Sequence, residues 1–169
     1  MPYQYAYLAG SLLFFCFWYL IYRVRRDLRR EMIWASLLGL PFGIIEYFFV
    51  PYYWNPESLF GLMRRFGFGF EGFLYSFSIA GIASVCYEFL ENKKLKKIKG
   101  RKKTHLGPFI LFVVVFLVLK YFFPAKPMVD LVISFVAGIS WTVISRPDLL
   151  KQVISGGVIF GLFYFLISL

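Results

Sequence analysis

Glu46, Glu71 and Asp130 are carboxylic acids set within, or at the mouths of, segments otherwise built from hydrocarbon side chains. An acid at membrane depth is costly, so it persists where it faces a bundle interior, pairs with a partner or does chemistry. A carboxyl group stripped of water is disfavoured in its charged form, and a carboxylic acid that keeps its proton can donate it to a substrate. The remaining acids read differently. Glu57 has the setting of an exposed loop residue, and Glu88 and Glu91 stand beside a basic stretch whose lysines are their natural partners. Asp130 also occupies the position of a helix-capping acid, so it carries both a structural and a functional reading.

The elements that must position these acids follow from composition. The chain has 169 residues, 60% of them apolar and 22% aromatic. Globular domains are roughly half apolar, so hydrocarbon is the natural solvent for such a surface. A bilayer is crossed by about 20 apolar residues. That length predicts six spans, at about 3–22, 33–50, 70–90, 107–123, 128–145 and 152–169. The fold class expected is all-α, a polytopic helical bundle forming a single integral membrane domain over 1–169. Pro51 and Pro56 close the second span, Pro108 opens the fourth, Pro124 and Pro127 turn the chain into the fifth, and Pro147 with Asp148 starts the sixth. The N-terminus lacks the basic region of a cleaved signal peptide, which makes the first apolar run a retained helix.

The net charge of +10 is carried in short blocks between apolar runs rather than along one groove. That is the pattern of loops touching anionic lipid heads, and it argues against nucleic acid. The first loop holds Arg23, Arg25, Arg26, Arg29 and Arg30. The third holds Lys and Arg residues from Lys93 to Lys103, and the fifth has Arg146 and Lys151. Alternate loops share the basic excess, which places both termini outside a cell (plasma) membrane by the positive-inside rule. Tyr52, Tyr53 and Trp54 then form an outer interfacial belt.

Other chemistries are excluded on spacing. Cys16 and Cys86 lie in apolar runs without metal-ligand spacing and read as reduced packing residues, and His105 sits alone in a basic stretch. Gly67-Phe68-Gly69-Phe70-Glu71-Gly72 has dinucleotide-site spacing, but it leads from a loop into an apolar helix instead of following a strand. Asn55-Pro56-Glu57-Ser58 has proline at the position that glycosylation forbids. No nucleotide loop, metal cluster, nucleophile triad or paired-acid motif for a prenyl diphosphate is present.

Helical periodicity sorts the remaining signals by face. Glu46 shares a face with Gly39 and Gly43, so it should point into the bundle. Tyr75, Ser78 and Ile82 follow Glu71 on its face; Ser134, Ala137, Gly138 and Trp141 follow Asp130. All three acids fall at the outer side, where they could border one cavity. Gly39 and Gly43, then Ser76, Ala80 and Ser84, then Gly157 and Gly161 are expected to be seams where helix backbones approach closely. Asp27-Leu28-Arg29-Arg30-Glu31-Met32-Ile33 resembles Asp148-Leu149-Leu150-Lys151-Gln152-Val153-Ile154, a weak internal repeat that two basic helix starts could also produce independently.

The stretch from Glu46 to Glu88 resembles the lycopene cyclase domain of membrane-embedded carotenoid cyclases. Ile45-Glu46 lies over that family's Trp-Asp pair, and Tyr53-Trp54-Asn55-Pro56 over its Asn-Pro segment. Phe70-Glu71-Gly72-Phe73-Leu74-Tyr75 lies over its Glu-Glu motif, and Cys86-Tyr87-Glu88 over the end of the following helix. Gly69 replaces the motif's proline and Gly72 its second glutamate. The second acidic motif of fused family members is missing. The resemblance implies an intramolecular lyase or isomerase that needs no cofactor or metal, with a linear carotenoid or other apolar isoprenoid as substrate. Glu71 would then be the proton donor and Glu46 a second acid, with Tyr75, Trp54, Asn55, Ser78 and Asp130 around the substrate. Aromatic faces would stabilise the cation. The alternative is a non-catalytic protein that binds membrane lipid or isoprenoid, or a subunit that completes its site within a homo- or hetero-oligomer. A proton-coupled transporter is weakened by the lack of broken or charged mid-membrane helices.

Overall fold

The computed structural model describes residues 5–50, 53, 56–91, 106–122 and 126–168, with side chains described through residue 166. Every regular element among them is helical: α1 (Ala6–Val24), α2 (Arg29–Gly39), α3 (Phe42–Ile45), α4 (Leu62–Phe66), α5 (Phe70–Leu90), α6 (Leu106–Phe122), α7 (Pro127–Ser145) and α8 (Leu150–Ser168). Short 3-10 turns cover Glu46–Phe48, Leu59–Gly61 and Pro147–Leu149. Among the described residues five helical segments are long and apolar enough to cross a membrane: Ala6–Val24, Arg29–Phe48, Phe70–Leu90, Pro127–Ser145 and Pro147–Leu166. Leu106–Phe122 is apolar but 17 residues long, at the lower limit for a span.

The chain divides into two compact units, Met1–Leu95 with Gly156–Leu169, and Lys96–Ser155. In the first unit α1 and α2 both pack on α5. Burial follows the helical period. Ser11, Phe14, Trp18 and Ile21 line the inner face of α1, and Met32, Ser36 and Gly39 that of α2. Phe14, Trp18, Ile21, Leu28, Met32, Ile82 and Val85 form the core. The Trp18 indole donates to Ser36 Oγ at 2.9 Å, giving a buried polar edge its partner.

Glycine sets the closest approaches. A Cβ at Gly39 would fall 2.9 Å from the Ser76 carbonyl oxygen, and one at Gly43 would fall 3.0 Å from Phe73 Cα. Gly39 and Gly43 are therefore close-approach positions, as expected; Gly39 meets Ser76 and Ala80 of α5, and Gly43 meets Phe73. Close approach continues at Gly81, whose Cβ would land 2.6 Å from Trp18 Cδ1. The expected seam at Gly157 and Gly161 is not found: among the described residues nothing lies within 4 Å of where their Cβ atoms would be. Regular spacing of glycines marks a helix face but leaves open whether another helix lies against it.

In the second unit α6 packs on α7. Asp130, Ser134 and Gly138 recur every fourth residue along the buried face of α7. Gly138 lets the Pro108 carbonyl approach to 3.3 Å of its would-be Cβ, and the Phe112 and Phe135 rings meet at 4.8 Å.

The two segments of the weak repeat share a local device. Arg25 Nε and Nη2 each donate to Asp27 at 3.1 Å, and Arg146 donates to Asp148 at 3.3 and 3.0 Å. In both, an arginine closing one helix grips an acid two residues on, and that hydrogen bonding raises each guanidinium above its ordinary value.

Candidate functional site

Glu46 ends the α2–α3 segment, just after Pro41 has interrupted the helix and α3 has resumed it. Its periodicity with Gly39 and Gly43 carries through that interruption, and the side chain points inward as expected. The carboxyl group lies against Gly72 of α5, where a Cβ would come within 2.6 Å of Glu46 Oε1. The hydrogen that stands for a side chain at Gly72 is thus what makes room for the Glu46 carboxyl. Tyr7 of α1 donates its hydroxyl to Glu46 Oε1. The Gly69 backbone also hydrogen-bonds the Glu46 carboxyl group and the Glu71 carboxyl acts on it electrostatically, while Glu46 Oε2 is buried with no hydrogen-bond partner among the described residues.

Glu71 opens α5 and is fully buried. Its Oε1 accepts the Leu59 backbone N–H at 2.5 Å, which ties the preceding loop to the helix start. That loop turns sharply: Phe60 and Gly61 both have left-handed φ, 59° and 64°, and Ser58 Oγ accepts the Met63 N–H at 2.8 Å. Glu71 Oε2 is buried and has no hydrogen-bond partner among the described residues. A Cβ at Gly69 would stand 2.6 Å from that oxygen, so glycine there keeps the space beside it open. Two carboxyl oxygens from different elements therefore lie buried and unpaired in one polar cluster of the first unit. This is the arrangement from which a proton can be given or taken, because their hydrogen-bonding capacity is unspent.

The surroundings are aromatic. Tyr75, one turn beyond Glu71, shares a hydrogen bond of 2.7 Å with Tyr164 of α8. Phe14 meets the Tyr75 ring edge-on at 5.4 Å and stacks on Tyr164 at 5.8 Å. Ser78 is buried on the same face, but its hydroxyl donates to the Leu74 carbonyl at 2.7 Å and so is spent within its own helix. Trp54 and Asn55, expected beside the substrate, lie outside the described residues.

Asp130 belongs to the second unit, whereas Glu46 and Glu71 belong to the first. The reading of Asp130 as a helix cap is corrected. The N-cap residue of α7, Lys126, makes no side-chain cap hydrogen bond, and both Asp130 carboxyl oxygens are buried without a partner among the described residues. Pro127 at the helix start already lacks an N–H, which removes one of the donors a cap would serve. Glu57 is exposed as expected. Glu88 is nearly buried, and its carbonyl accepts Arg25 Nη1 at 3.2 Å; the lysines expected to pair with it lie outside the described residues.

Sequence reasoning missed Tyr7. The only available signal was its place on the α1 face with Ser11, Phe14 and Trp18, and nothing in that spacing names Glu46 as its partner. Tyr7→Phe should destabilise the protein by about 1–3 kcal/mol, since it takes the donor from a half-buried carboxyl while keeping the ring. Thermal unfolding in detergent measures this, and an unchanged transition would show that the hydrogen bond contributes nothing.

Compared with known proteins, the chain matches no family model, no curated protein and no solved structure.

Proposed function

We propose that this chain is an integral membrane protein whose Glu71 and Glu46 carboxyl groups protonate an apolar isoprenoid and start its cyclisation, the lycopene-cyclase type of reaction. The observation that carries this reading is the fully buried Glu71 with an unpaired oxygen, set beside a second carboxyl that fills the space left by Gly72. The reaction is redox-neutral. A proton from Glu71 adds to the terminal alkene of a linear carotenoid end group. The next double bond attacks the resulting cation and closes a ring. Loss of a proton from that ring, with Glu46 or Glu71 as acceptor, forms the new alkene, so no electrons are gained or lost. Phe14, Tyr75 and Tyr164 offer π faces that favour a passing cation. In this reading Glu46 replaces, from across the bundle, the carboxyl that Gly72 lacks.

The membrane setting is supported by the five long apolar segments and by what the helices leave exposed. Ile110, Val114, Val132, Val136, Val158 and Leu162 are large apolar residues facing outward, where a water-soluble helix would carry polar ones. We take Leu106–Phe122 as the sixth span, which puts both termini outside the cell membrane and the 91–105 loop in the cytoplasm. A cysteine placed at position 99 should resist a membrane-impermeant reagent added to intact cells and react after lysis; labelling in intact cells would overturn the topology.

Coexpression with a lycopene-producing pathway tests the activity, with cyclic carotenoids as the expected product. A second reading is favoured by the Leu59 N–H on Glu71: the acid would be a loop anchor in a non-catalytic isoprenoid-binding protein or subunit. A well-folded chain that yields no rings, alone and with candidate partner subunits, would select that second reading.

A further inference from the structure

An apolar groove of about 310 Å³ opens at the other end of α1 and α5, between Leu20 and Val24 on one side, Cys86, Phe89 and Leu90 on the other, and Phe163 of α8. Ile82, its lining residue nearest Glu71 in the chain, stands about 16 Å further along α5 at roughly 1.5 Å per residue. The groove is therefore separate from the acid cluster. Leu20, Val24 and Leu90 on its rim are 57%, 70% and 60% exposed, so it opens sideways, toward lipid.

The charge at its mouth has one sign in excess. Arg25 Nη1 donates to the Glu88 carbonyl at 3.2 Å. Val24 and Phe89, the chain neighbours of that pair, both line the groove, so this guanidinium stands at the groove's end. Asp27 holds it there through two hydrogen bonds of 3.1 Å. Arg23 and Arg26, two residues before it and one after it in the chain, are exposed, and the Arg23 guanidinium lies 6.0 Å from the centre of the Tyr19 ring. Residues 23–31 carry Arg23, Arg25, Arg26, Arg29 and Arg30 against only Asp27 and Glu31, while Glu88 and Glu91 are the acids at the end of α5.

We propose that this groove seats one acyl chain of an anionic phospholipid, whose phosphate lies against Arg23 and Arg26. The wholly apolar wall suits a hydrocarbon chain, and exposed arginines beside it attract an anionic head at the membrane surface. The volume lies at the small end of ligand sites, which run from about 300 to 1,000 Å³, so a chain fits where a partner helix does not. The inference rests on the membrane reading and is independent of the acid chemistry.

Cys86, on the groove wall, reports occupancy once the exposed Cys16 is replaced by serine. The full chain is first shown to resist carbonate extraction from membranes; a soluble protein would overturn the membrane reading itself and the site with it. It is then placed in nanodiscs of phosphatidylcholine, alone or with phosphatidylglycerol, and alkylated with N-ethylmaleimide. Phosphatidylglycerol should slow Cys86 labelling several-fold, and native mass spectrometry should find one such lipid retained. Arg23→Ala with Arg26→Ala should remove the protection, and Leu20→Trp, filling the groove from its exposed rim, should expel the retained lipid. Equal labelling in the two lipid mixtures, or a lipid that survives Leu20→Trp, would overturn the site. Loss of ring formation in other variants has no bearing on this result.

Discussion

Glu71→Gln should end ring formation in lycopene-accumulating cells that the native chain converts. Glutamine keeps the size of glutamate, and its amide oxygen can still accept the Leu59 N–H, so the loop before α5 stays tied down. What it loses is the acidic proton. Removing a general acid typically costs about 10²- to 10⁴-fold in rate, enough to take cyclic product below detection in a coexpression assay. Glu46→Gln should also lower the yield while leaving Tyr7 an acceptor for its hydroxyl. Protein level and thermal unfolding, measured beside the carotenoid profile, separate chemistry from folding. Full ring formation by Glu71→Gln would exclude Glu71 as the donor.

Gly43→Leu should lower the thermal transition in detergent by roughly 2–12 °C. A Cβ at Gly43 would stand 2.8 Å from Phe73 Cδ1 and 3.0 Å from Phe73 Cα, and the main chain of α5 cannot swing aside as a side-chain tip can. Overpacking of this kind costs about 1–3 kcal/mol. In a chain of this length each kcal/mol moves the midpoint by about 2–4 °C. Gly161→Leu supplies the contrast, because none of the described residues stands within 4 Å of its would-be Cβ. It should leave the transition within a degree or two, about the ±0.5 kcal/mol of an ordinary surface change. Helix propensity favours leucine over glycine, so it cannot supply a loss, and equal losses at the two positions would show that the α2–α5 seam does not govern them.

The same contrast shows what could be read in advance. Gly39, Gly43 and Glu46 share one side of a helix, and their inward direction followed from spacing alone, even across the interruption at Pro41. Glu71 at the head of an apolar helix was likewise visible as a costly residue that needs a reason. Gly157 and Gly161 have the same spacing as Gly39 and Gly43, yet among the described residues they meet nothing within 4 Å. Asp130 sits in the first turn of its helix like a cap, yet its carboxyl group makes no cap hydrogen bond. In each case the local pattern was sound and the neighbour was missing from it.

By itself, then, the sequence determined the helices, their apolar length, the breaks at proline and glycine, and which face each acid occupies. These depend on backbone preferences and on the 3.6-residue period, both of which act over one or two turns. Only the tertiary structure decided that the space left by Gly72 is taken by Glu46, that Tyr7 of α1 is the group that grips it, and that Asp130 belongs to the other unit. Tyr7 and Glu46 are 39 residues apart, and Gly72 lies on a third element. No periodicity links such positions, because their meeting is set by how α1, α2 and α5 pack. That packing rests on many small contacts along a glycine-lined seam, where one added methyl group is enough to hold two backbones apart.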